Sequence, residues 1–574
     1  MTVGAGPSSH ELVSTCNDLL MATSTPREIA DRYLDSLARH SPLLATSLGL
    51  PYRQDELDDF SPAGTAAEAK LIRATLAELD AVPAEIATQP GEQRCATLLR
   101  ERLGSELTQI EHGEELRAIR NLFSPMHSVR TIFAMMPKVT DADWANVRAR
   151  MGAIPAAYDG YADTLREGLR VGMLAGPRQV STAVEQLTSW LEGDYFPGVV
   201  ADGPASMRTE LDDAAADAER ACAQLREFLA VTYAPAAVEE PDTCGRDRYA
   251  RCARQWTGSE VDLDAAYAWA WEEFHRIDAD LRTEAQRVLP GATPGQAMAW
   301  LNTDGDAIDG EDAVRERLQQ MMDTAIADLD GTHFDLAEPV KQVEAMIAPA
   351  GGAAAPYYTR PSLDFARPGR TWLPTMGRTR FPLWDLVSTW YHEGVPGHHL
   401  QLAQWTYVAP QLSRYQTSIG SVGANVEGWA LYAERLMDEL GYLRTPGERI
   451  GYLDAQQMRA VRVIIDIGMH CGMVIPAGAG FHEGQTWTPE LGREFFGLHC
   501  GRDETFADSE LVRYLGMPGQ AISYKLGERA WLQGRAAAQA EQGTAFDLKR
   551  WHMAALSLGS LGLDDLVGAL RSCG

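Results

Sequence analysis

The spacing of apolar residues constrains the fold of this chain more than any other feature. From residue 25 to about residue 329 they recur every three or four positions among many alanines, leucines, glutamates and arginines, which is the pattern of amphipathic helices. Ile29, Tyr33 and Leu37 share one such face, and residues 180–191 form another after Pro177. The sequence therefore predicts a large, mainly helical protein of many helices.

One stretch departs from this pattern. Residues 340–380 alternate weakly and then become rich in alanine and glycine, and afterwards in proline and tyrosine, so the few strands are expected here. Helical periodicity resumes at Leu383 and continues to Leu570. We predict one helical domain over residues 26–574, with lobes at about 26–335 and 336–574 and a small β-sheet beside the active-site cleft. Residues 1–25 are predicted to form an N-terminal tail.

Charge and cysteine content narrow the possible partners. The chain has 51 Lys plus Arg against 80 Asp plus Glu, a formal net charge of −29, which repels nucleic-acid phosphates and anionic lipid surfaces. Its eight cysteines include no Cys-x-x-Cys pair, so neither a disulfide framework nor a cysteine zinc knuckle is expected. No basic start followed by an apolar run opens the chain, and no stretch reaches the ~18 apolar residues of a membrane helix. We expect a cytoplasmic protein with no nucleic-acid or membrane partner and leave its oligomeric state open.

Three of the 13 histidines lie within residues 392–399, beside Glu393. Catalytic zinc sites need imidazoles, one more ligand, an open position for water and a carboxylate that accepts the proton of that water. In the usual His-Glu-x-x-His helix, one turn separates the two histidines. Here Pro396 stands at the fourth position, and on a regular helix neither His398 nor His399 would reach the ion held by His392. A continuous helix could not chelate a metal ion with this segment.

The same segment contains the residues that interrupt a helix. Two glycines and a proline within residues 394–397 favour a bulge or a break. Looping out two residues would bring His398 to His392, whereas looping out three would bring His399. We favour His398 as the ligand and expect His399 to orient a ligand or to contact substrate.

A third ligand is expected from a later helix. Glu427 and Glu434 lie seven residues apart in apolar surroundings, which places them on one helix face. We predict Glu427 as the third ligand and Glu434 as a hydrogen-bond partner of a ligating histidine. The segment His482-Glu483-Gly484 repeats the start of the motif but has no second histidine in the next turns, so it is predicted to be a loop.

Residues 389–401 closely resemble the signature His-Glu-x-x-Pro-Gly-His-His-Leu-Gln of the bacterial family called domain of unknown function 885. Similar patterns occur in the family's order at residues 33–51, 357–364, 459–470 and 518–527, so the resemblance covers about residues 26–570. It implies a largely helical, zincin-like metallohydrolase, whose characterised relatives are regarded as peptidases or dipeptidases. The expanded spacing is similar to that of dipeptidyl peptidase III. From the family pattern we expect a second proline at position 360, so Arg360 is a departure from that pattern.

Further residues complete the predicted site. A polar stripe runs along residues 459–470 of an apolar helix, and the resemblance places it at the cleft, with Arg459 and His470 as substrate contacts. Tyr358 is predicted as another substrate contact. Tyr524 is predicted to donate a hydrogen bond to the negative oxygen of a tetrahedral intermediate.

Together these residues predict a zinc-dependent hydrolase that cleaves a peptide or amide bond of a small peptide-like substrate. His392, His398 and Glu427 would hold Zn²⁺, while Glu393 would accept the proton of the attacking water and pass it to the leaving amine. Two alternatives stay open. One is a metal-dependent enzyme of a biosynthetic pathway that does not cleave peptides, and the other is a catalytically silent metal-binding protein.

Overall fold

The computed structural model describes residues 24–349 and 355–574. The described residues form two compact units, one within Met1–Pro241 and Gln411–Gly420 and one within Asp242–Pro410 and Ser421–Gly574. The predicted tail at residues 1–25 lies outside the described residues except for its last two. The predicted lobe boundary near residue 335 falls inside the second unit. Among the described residues, no helix combines the length and the apolar character that crossing a membrane requires.

Helices build the described part of the first unit, as the apolar periodicity predicts. Its α-helices are α1 Pro26–His40, α2 Pro42–Ser47, α3 Pro62–Asp80, α4 Ala84–Ala87, α5 Pro90–Glu111, α6 Pro125–Met135, α7 Asp141–Gly152, α8 Ile154–Val171, α9 Pro177–Glu192, α10 Tyr195–Val200, α11 Arg208–Glu227 and α12 Ala234–Ala237. Short 3-10 helices occupy Glu114–Arg117 and Ala205–Met207, and a π-helical stretch occupies Phe228–Tyr233. Several helices begin with a proline after a capping residue; in α1, Thr25 and Glu28 form a capping box, which satisfies backbone donors at the helix start.

The second unit holds the remaining helices and all described strands. Its helices are α13 Arg246–Thr257, α14 Leu263–Val288, α15 Pro294–Thr303, α16 Glu311–Leu329, α17 Leu383–Glu393, α18 His398–Tyr407, α19 Gly423–Glu439, α20 Pro446–Cys471, α21 Pro489–His499, α22 Glu504–Gly516, α23 Ser523–Gln542, α24 Leu548–Leu556 and α25 Leu563–Arg571. Its strands are β1 Ala307–Asp309, β2 Val343–Ile347, β3 Tyr357–Thr359, β4 Gly369–Leu373 and β5 Arg380–Pro382. The predicted mainly helical fold with a small sheet is confirmed, and helical structure resumes at Leu383 as predicted.

The three-stranded sheet has the order β2–β4–β3, with β2 parallel and β3 antiparallel to β4. Side chains alternate between its faces. On one face, Tyr357 stacks on Trp372 with ring centroids 5.9 Å apart, and the indole of Trp372 donates to Thr359. Tyr358 therefore lies on the opposite face. A separate antiparallel pair joins β1 to β5; β1 was not predicted, because three residues between two helices leave no periodic signal.

Two pairs of helices in this unit pack backbone to backbone at glycines. In α20, a side chain at Gly451 would collide with the carbonyl oxygen of Trp384 in α17. In α19 and α23, Gly428 and Gly527 lie against each other with no space for a Cβ on either. Glycine is required at such close approaches, and these contacts fix how the helices that carry the candidate site meet.

Candidate metal centre

The break between α17 and α18 brings two of the three clustered histidines together. The first helix ends at Glu393 and the second begins at His398. A side chain at Gly397 would collide with the carbonyl oxygen of His392, and the indole of Trp429 donates to the carbonyl of Gly397 at 3.1 Å. The rings of His392 and His398 consequently lie 4.7 Å apart, centroid to centroid. The interruption predicted from the glycines and the proline is present, and it selects His398 rather than His399.

The two imidazoles face a carboxylate from α19. The Oε2 atom of Glu427 lies 3.3 Å from Nε2 of His392 and 3.8 Å from Nε2 of His398. Ligand atoms that share a zinc ion at 2.0–2.2 Å in a tetrahedron lie about 3.3 Å apart, so this spacing suits a small metal ion. Glu393 also belongs to the group, but its Oε1 atom is farther from Nε2 of His392, at 4.0 Å. Glu427 is therefore the better third ligand.

An unsatisfied polar atom supports the same conclusion. Within residues 24–349 and 355–574, the buried Oε2 atom of Glu427, which faces both histidines, has no hydrogen-bond partner. Buried polar atoms in native proteins are nearly always bonded. Imidazole nitrogen and carboxylate oxygen are also the donor types that zinc prefers, so the residues present fit this ion.

Glu434 binds the ring nitrogen of His392 that does not face Glu427. Its Oε1 atom lies 2.7 Å from Nδ1 of His392, and its Oε2 atom accepts a hydrogen bond of 2.7 Å from Ser388. Because Nδ1 is the nitrogen that donates to this carboxylate, Nε2 is the nitrogen that faces Glu427. Such a carboxylate fixes the tautomer and the orientation of a ligating histidine. The structure thus places Glu434 where the sequence predicted it.

Arg459 does not lie where a substrate contact was predicted. Its guanidinium lies 3.0 Å from Oε1 of Glu434 and 3.3 Å from Nδ1 of His392. The close approach of α17 and α20 at Gly451 explains this position, because eight residues further along each helix His392 meets Arg459. The arginine supports the cluster from its buried side.

Burial and neighbouring charges shift the pKa values of the two carboxyl groups that face the histidines in opposite directions. Burial raises the pKa of Glu393 to about 8, with the charge of Glu427 adding to the effect. Burial also acts to raise the pKa of Glu427, but the imidazoles of His392 and His398 outweigh it and lower the value to about 2. Glu427 is thus ionised, as a ligand must be, and Glu393 can take up or release a proton near neutral pH.

Burial and nearby carboxylates also shift the pKa values of the two histidines. Burial lowers the pKa of His398 to about 4, which keeps its ring neutral and able to bind a metal. Burial would also lower the pKa of His392, but the carboxylates of Glu427 and Glu434 raise it to about 9.

Tyr524 lies beside the cluster, as predicted. It stands one helical turn before Gly527, whose contact with Gly428 brings α23 against the helix that carries Glu427. The negative charge of Glu427 is the main reason why the pKa of this phenol is raised, and burial adds to it. The guanidinium of Arg462 lies 5.0 Å from the ring centroid. Tyr524 therefore keeps its proton at neutral pH and is available as a donor.

His399 and Tyr358 bind each other next to the cluster. The Nε2 atom of His399 lies 2.7 Å from the carbonyl oxygen of Val340, and Nδ1 lies 3.0 Å from the hydroxyl of Tyr358. Burial lowers the pKa of His399 to about 4, so the ring is neutral and donates from Nε2. With both nitrogens engaged, His399 is not positioned as a ligand.

His470 does not join the cluster. Its Nδ1 atom accepts from the backbone N–H of Cys244 at 3.1 Å, and its Nε2 atom lies 3.1 Å from the carbonyl oxygen of Tyr514. The ring stacks on Tyr249, and its side chain is 0% exposed. This corrects the prediction of a substrate contact, because both ring nitrogens are bonded to backbone groups. His482 lies in a loop, as predicted, and pairs with Glu494.

Two residues that position the site were missed from the sequence. Ser388 stands one turn before His392 on α17 and could have been recognised as a hydroxyl on the histidine face. Trp429 follows Glu427 by two residues, and nothing in the sequence indicates that its indole holds the break between α17 and α18.

A family model described as bacterial protein of unknown function (DUF885) matches residues 42–570. The chain belongs to this family. No curated protein matches it significantly, so the DUF885 assignment brings no activity with it.

Two solved structures share the fold. A predicted lipoprotein from Colwellia psychrerythraea has a TM-score of 0.79 and 22% identity, over 95% of this chain and 98% of its own. A predicted lipoprotein of unknown function from Shewanella oneidensis has a TM-score of 0.75 and 18% identity, over 95% of this chain and 99% of its own. These likenesses show the fold of the DUF885 chain alone, and its cytoplasmic location stays a prediction.

Proposed function

We propose that the protein is a zinc-dependent hydrolase that cleaves a peptide or amide bond of a small peptide-like substrate. One observation carries this proposal: two imidazoles and a carboxylate converge, the carboxylate oxygen that faces both rings has no hydrogen-bond partner, and a second carboxyl group with a pKa of about 8 lies beside them. A structural metal site would not need that second group.

His392, His398 and Glu427 would hold the metal ion. When bound there, zinc lowers the pKa of a water molecule and polarises the substrate carbonyl. Glu434 and Arg459 keep the ring of His392 turned so that Nε2 faces Glu427. Because these two residues fix the orientation of a ligating histidine, they favour a site with a fixed geometry over a chance polar cluster.

Glu393 moves the proton in the proposed reaction. Its carboxylate accepts a proton from the attacking water as the water oxygen bonds to the carbonyl carbon. When the C–N bond breaks, Glu393 passes that proton to the leaving nitrogen. Tyr524 donates a hydrogen bond to the carbonyl oxygen as negative charge develops on it.

The arrangement supports a relationship with the zincin metallopeptidases. Their second histidine follows the first by one helical turn, and here the interruption after Glu393 lets His398 take that place despite two additional residues. A helical fold with a small sheet beside the histidine helix agrees with this relationship. Fold analogy does not define a substrate, so the proposal is limited to the bond type.

Metal content and turnover test the proposal together. Purified protein is analysed for metals by mass spectrometry beside His392→Ala, His398→Ala and Glu427→Ala, with His399→Ala as a matched control. We expect about one zinc per chain in the wild type and the control, and loss of zinc in the three ligand variants.

A dipeptide library is then screened with the zinc-loaded protein. Release of free amines by the wild type but by none of the ligand variants supports a hydrolase. Zinc bound without turnover of any amide would instead favour the catalytically silent metal-binding protein. A wild type that binds no metal would contradict the proposal altogether.

A further inference from the structure

A cavity of about 360 Å³ lies within the first unit. Residues of α1, α3 and α8 line it, together with the 3-10 helix Glu114–Arg117 and the segment that follows. It shares no lining residue with the candidate metal centre. Its volume is in the range of cavities that hold small molecules.

The carboxyl groups that line this cavity differ in their partners. Asp58 has both oxygens bonded, to the hydroxyl of Ser41 at 2.6 Å and to the backbone N–H of Leu43 at 2.9 Å. The buried Oε2 atom of Glu115 has no hydrogen-bond partner among the described residues. Glu68 likewise forms no hydrogen bond or ion pair within that part of the chain. Since buried polar atoms are nearly always bonded, these two side chains leave acceptors for a ligand.

Arg120 places a positive charge in the same cavity. Its backbone N–H and carbonyl are bonded to the hydroxyl of Ser124. Its guanidinium forms no hydrogen bond or ion pair with any residue of 24–349 and 355–574, so it does not pair with Glu115. A guanidinium binds a carboxylate through adjacent N–H groups. Opposite charges that share one cavity without pairing are suited to a ligand that carries both.

Negative charge in the cavity is poorly balanced. Burial raises the pKa of Glu68 and of Glu115 to about 7, and neighbouring carboxyl groups add to the effect. The charge of Arg120 acts in the opposite direction on Glu115 but does not cancel it. An ammonium group next to these carboxyl groups would favour their ionised forms.

Apolar side chains form another part of the wall, among them Leu37, Leu44, Phe60 and Phe123. Phe123 is 70% exposed, which is unusual for so large an apolar side chain. Its φ of 59° lies in the left-handed region, which bulky residues rarely adopt. The exposed ring offers an apolar contact to the hydrocarbon part of a ligand.

We infer that this cavity binds a small zwitterion with an apolar side chain, whose ammonium group lies at Glu68 and Glu115 and whose carboxylate lies at Arg120. The inference goes beyond the proposed hydrolase function and does not depend on it. Free amino acids and short peptides share this chemistry, and they differ in the distance between their two charges.

Calorimetry on the full chain tests the inference with four probes. Leucine and the dipeptide Ala-Leu are the two zwitterions, and 3-methylbutylamine and 4-methylpentanoate are leucine without its carboxylate and without its amine. We expect the better zwitterion to bind about 10- to 100-fold more tightly than either analogue, as loss of one charged hydrogen-bonded pair predicts. The tighter of the two zwitterions identifies the source. Equal binding of all four probes, or binding of none, would overturn the inference.

Two variants should affect the analogues in opposite ways. Glu115→Gln should weaken the zwitterion and 3-methylbutylamine by about 10-fold or more and leave 4-methylpentanoate unchanged. Arg120→Gln should weaken the zwitterion and 4-methylpentanoate and leave 3-methylbutylamine unchanged. A disturbed fold would weaken every probe together, so a proportional loss for all probes in both variants would contradict the assignment.

Glu111→Gln is the matched control for the change of charge. Glu111 lies at the end of α5, pairs with Arg73 at 2.9 Å and does not line the cavity, so this variant should bind the zwitterion as the wild type does. Glu427→Ala, which removes a predicted metal ligand, should also bind it normally. Binding that is lost in Glu427→Ala but kept in Glu115→Gln would place the zwitterion at the candidate metal centre and overturn the inference. A wild type without zinc would contradict the proposed hydrolase but not this result.

Discussion

Two buried polar clusters lie on the same helix, α20, and they differ in which atoms their side chains leave unbonded. Around Arg459, the ligand atoms of His392, His398 and Glu427 face one another, with Oε2 of Glu427 unsatisfied in the described chain. About three turns further on, both nitrogens of His470 are bonded to backbone groups. In the first cluster, the oxygen that faces both imidazoles lacks a partner, whereas in the second cluster the histidine has a backbone partner at each nitrogen.

The second cluster also shows what a structural role looks like. Asp466 accepts from the hydroxyl of Tyr249 at 2.8 Å and from the backbone N–H of Gly519 at 3.0 Å. Burial raises its pKa to about 7, a shift nearly as large as that of Glu393. A displaced pKa therefore does not by itself identify a site, since structural networks produce it as well. Asp466 also leaves its Oδ1 atom without a hydrogen-bond partner in the described chain, so the first cluster is distinguished by three ligand atoms that converge, and not by an unsatisfied atom alone.

Glu393→Gln is expected to have the largest effect, because it removes the group that accepts the proton. The amide cannot accept a proton, so kcat is expected to fall by about 100- to 10,000-fold, while zinc content stays at the wild-type level because no ligand is removed. Steady-state kinetics and metal analysis of the same preparation check this. Near-full activity in the variant would remove Glu393 from the mechanism.

Tyr524→Phe and Tyr249→Phe test the two clusters with the same chemical change. Loss of the Tyr524 hydroxyl removes a donor beside the reacting carbonyl, and kcat should fall by about 100-fold with little change in stability. Loss of the Tyr249 hydroxyl leaves a buried carboxylate of Asp466 with one donor fewer, which should lower the free energy of unfolding by about 1 kcal/mol without changing kcat. Equal effects of the two variants on kcat would show that the clusters are not distinct.

Glu434→Gln and Asp466→Asn test whether each buried carboxylate affects the affinity for metal. Glu434 orients His392, so its amide should weaken zinc binding by about 10- to 100-fold. Asp466 contacts none of the predicted ligands, and Asp466→Asn should leave zinc affinity unchanged. Competition with a chromogenic chelator measures both. A Glu434→Gln protein with wild-type affinity would contradict the orienting role.

The sequence predicts the parts of this site that follow from spacing along one element. The helix break at residues 394–397, the choice of His398 and the shared helix face of Glu427 and Glu434 all depend on local geometry, and the structure contains each of them. Residues 459–470 show the limit. Arg459 and His470 share one helix stripe and are both buried, so periodicity cannot tell them apart.

Their partners decide the difference, and those lie far away in sequence. His470 is bonded to the backbone of Cys244, 226 residues away, and His399 to the backbone carbonyl of Val340. Backbone groups are present at every position, so no residue type marks them in advance. The contact of Gly428 with Gly527, which brings Tyr524 to Glu427, is equally a property of helix packing.

The stability of the protein in acid should depend on the buried histidines whose two ring nitrogens are both hydrogen-bonded. Burial lowers the pKa of His470 to about 4 and that of His552 to about 3. His552 accepts from the hydroxyl of Tyr432 and donates to the carbonyl of His333. Because the folded pKa lies below the unfolded value of about 6.5, the stabilisation is complete above pH 6.5 and is lost as the pH falls towards 4. Each histidine should account for about 2 kcal/mol of lost stability by pH 5.

Denaturant unfolding at pH 7, 6 and 5 measures this loss through tryptophan fluorescence. His470→Gln and His552→Gln should each be less stable than the wild type at pH 7, because a buried network is disrupted, yet each should lose less stability on acidification. The flatter slope is the informative quantity, since any disruptive substitution lowers stability at one pH. A slope equal to that of the wild type in both variants would mean that the fold does not hold these rings neutral. The contrast between histidines bonded at both nitrogens and the histidines that face Glu427 would then have no physical basis.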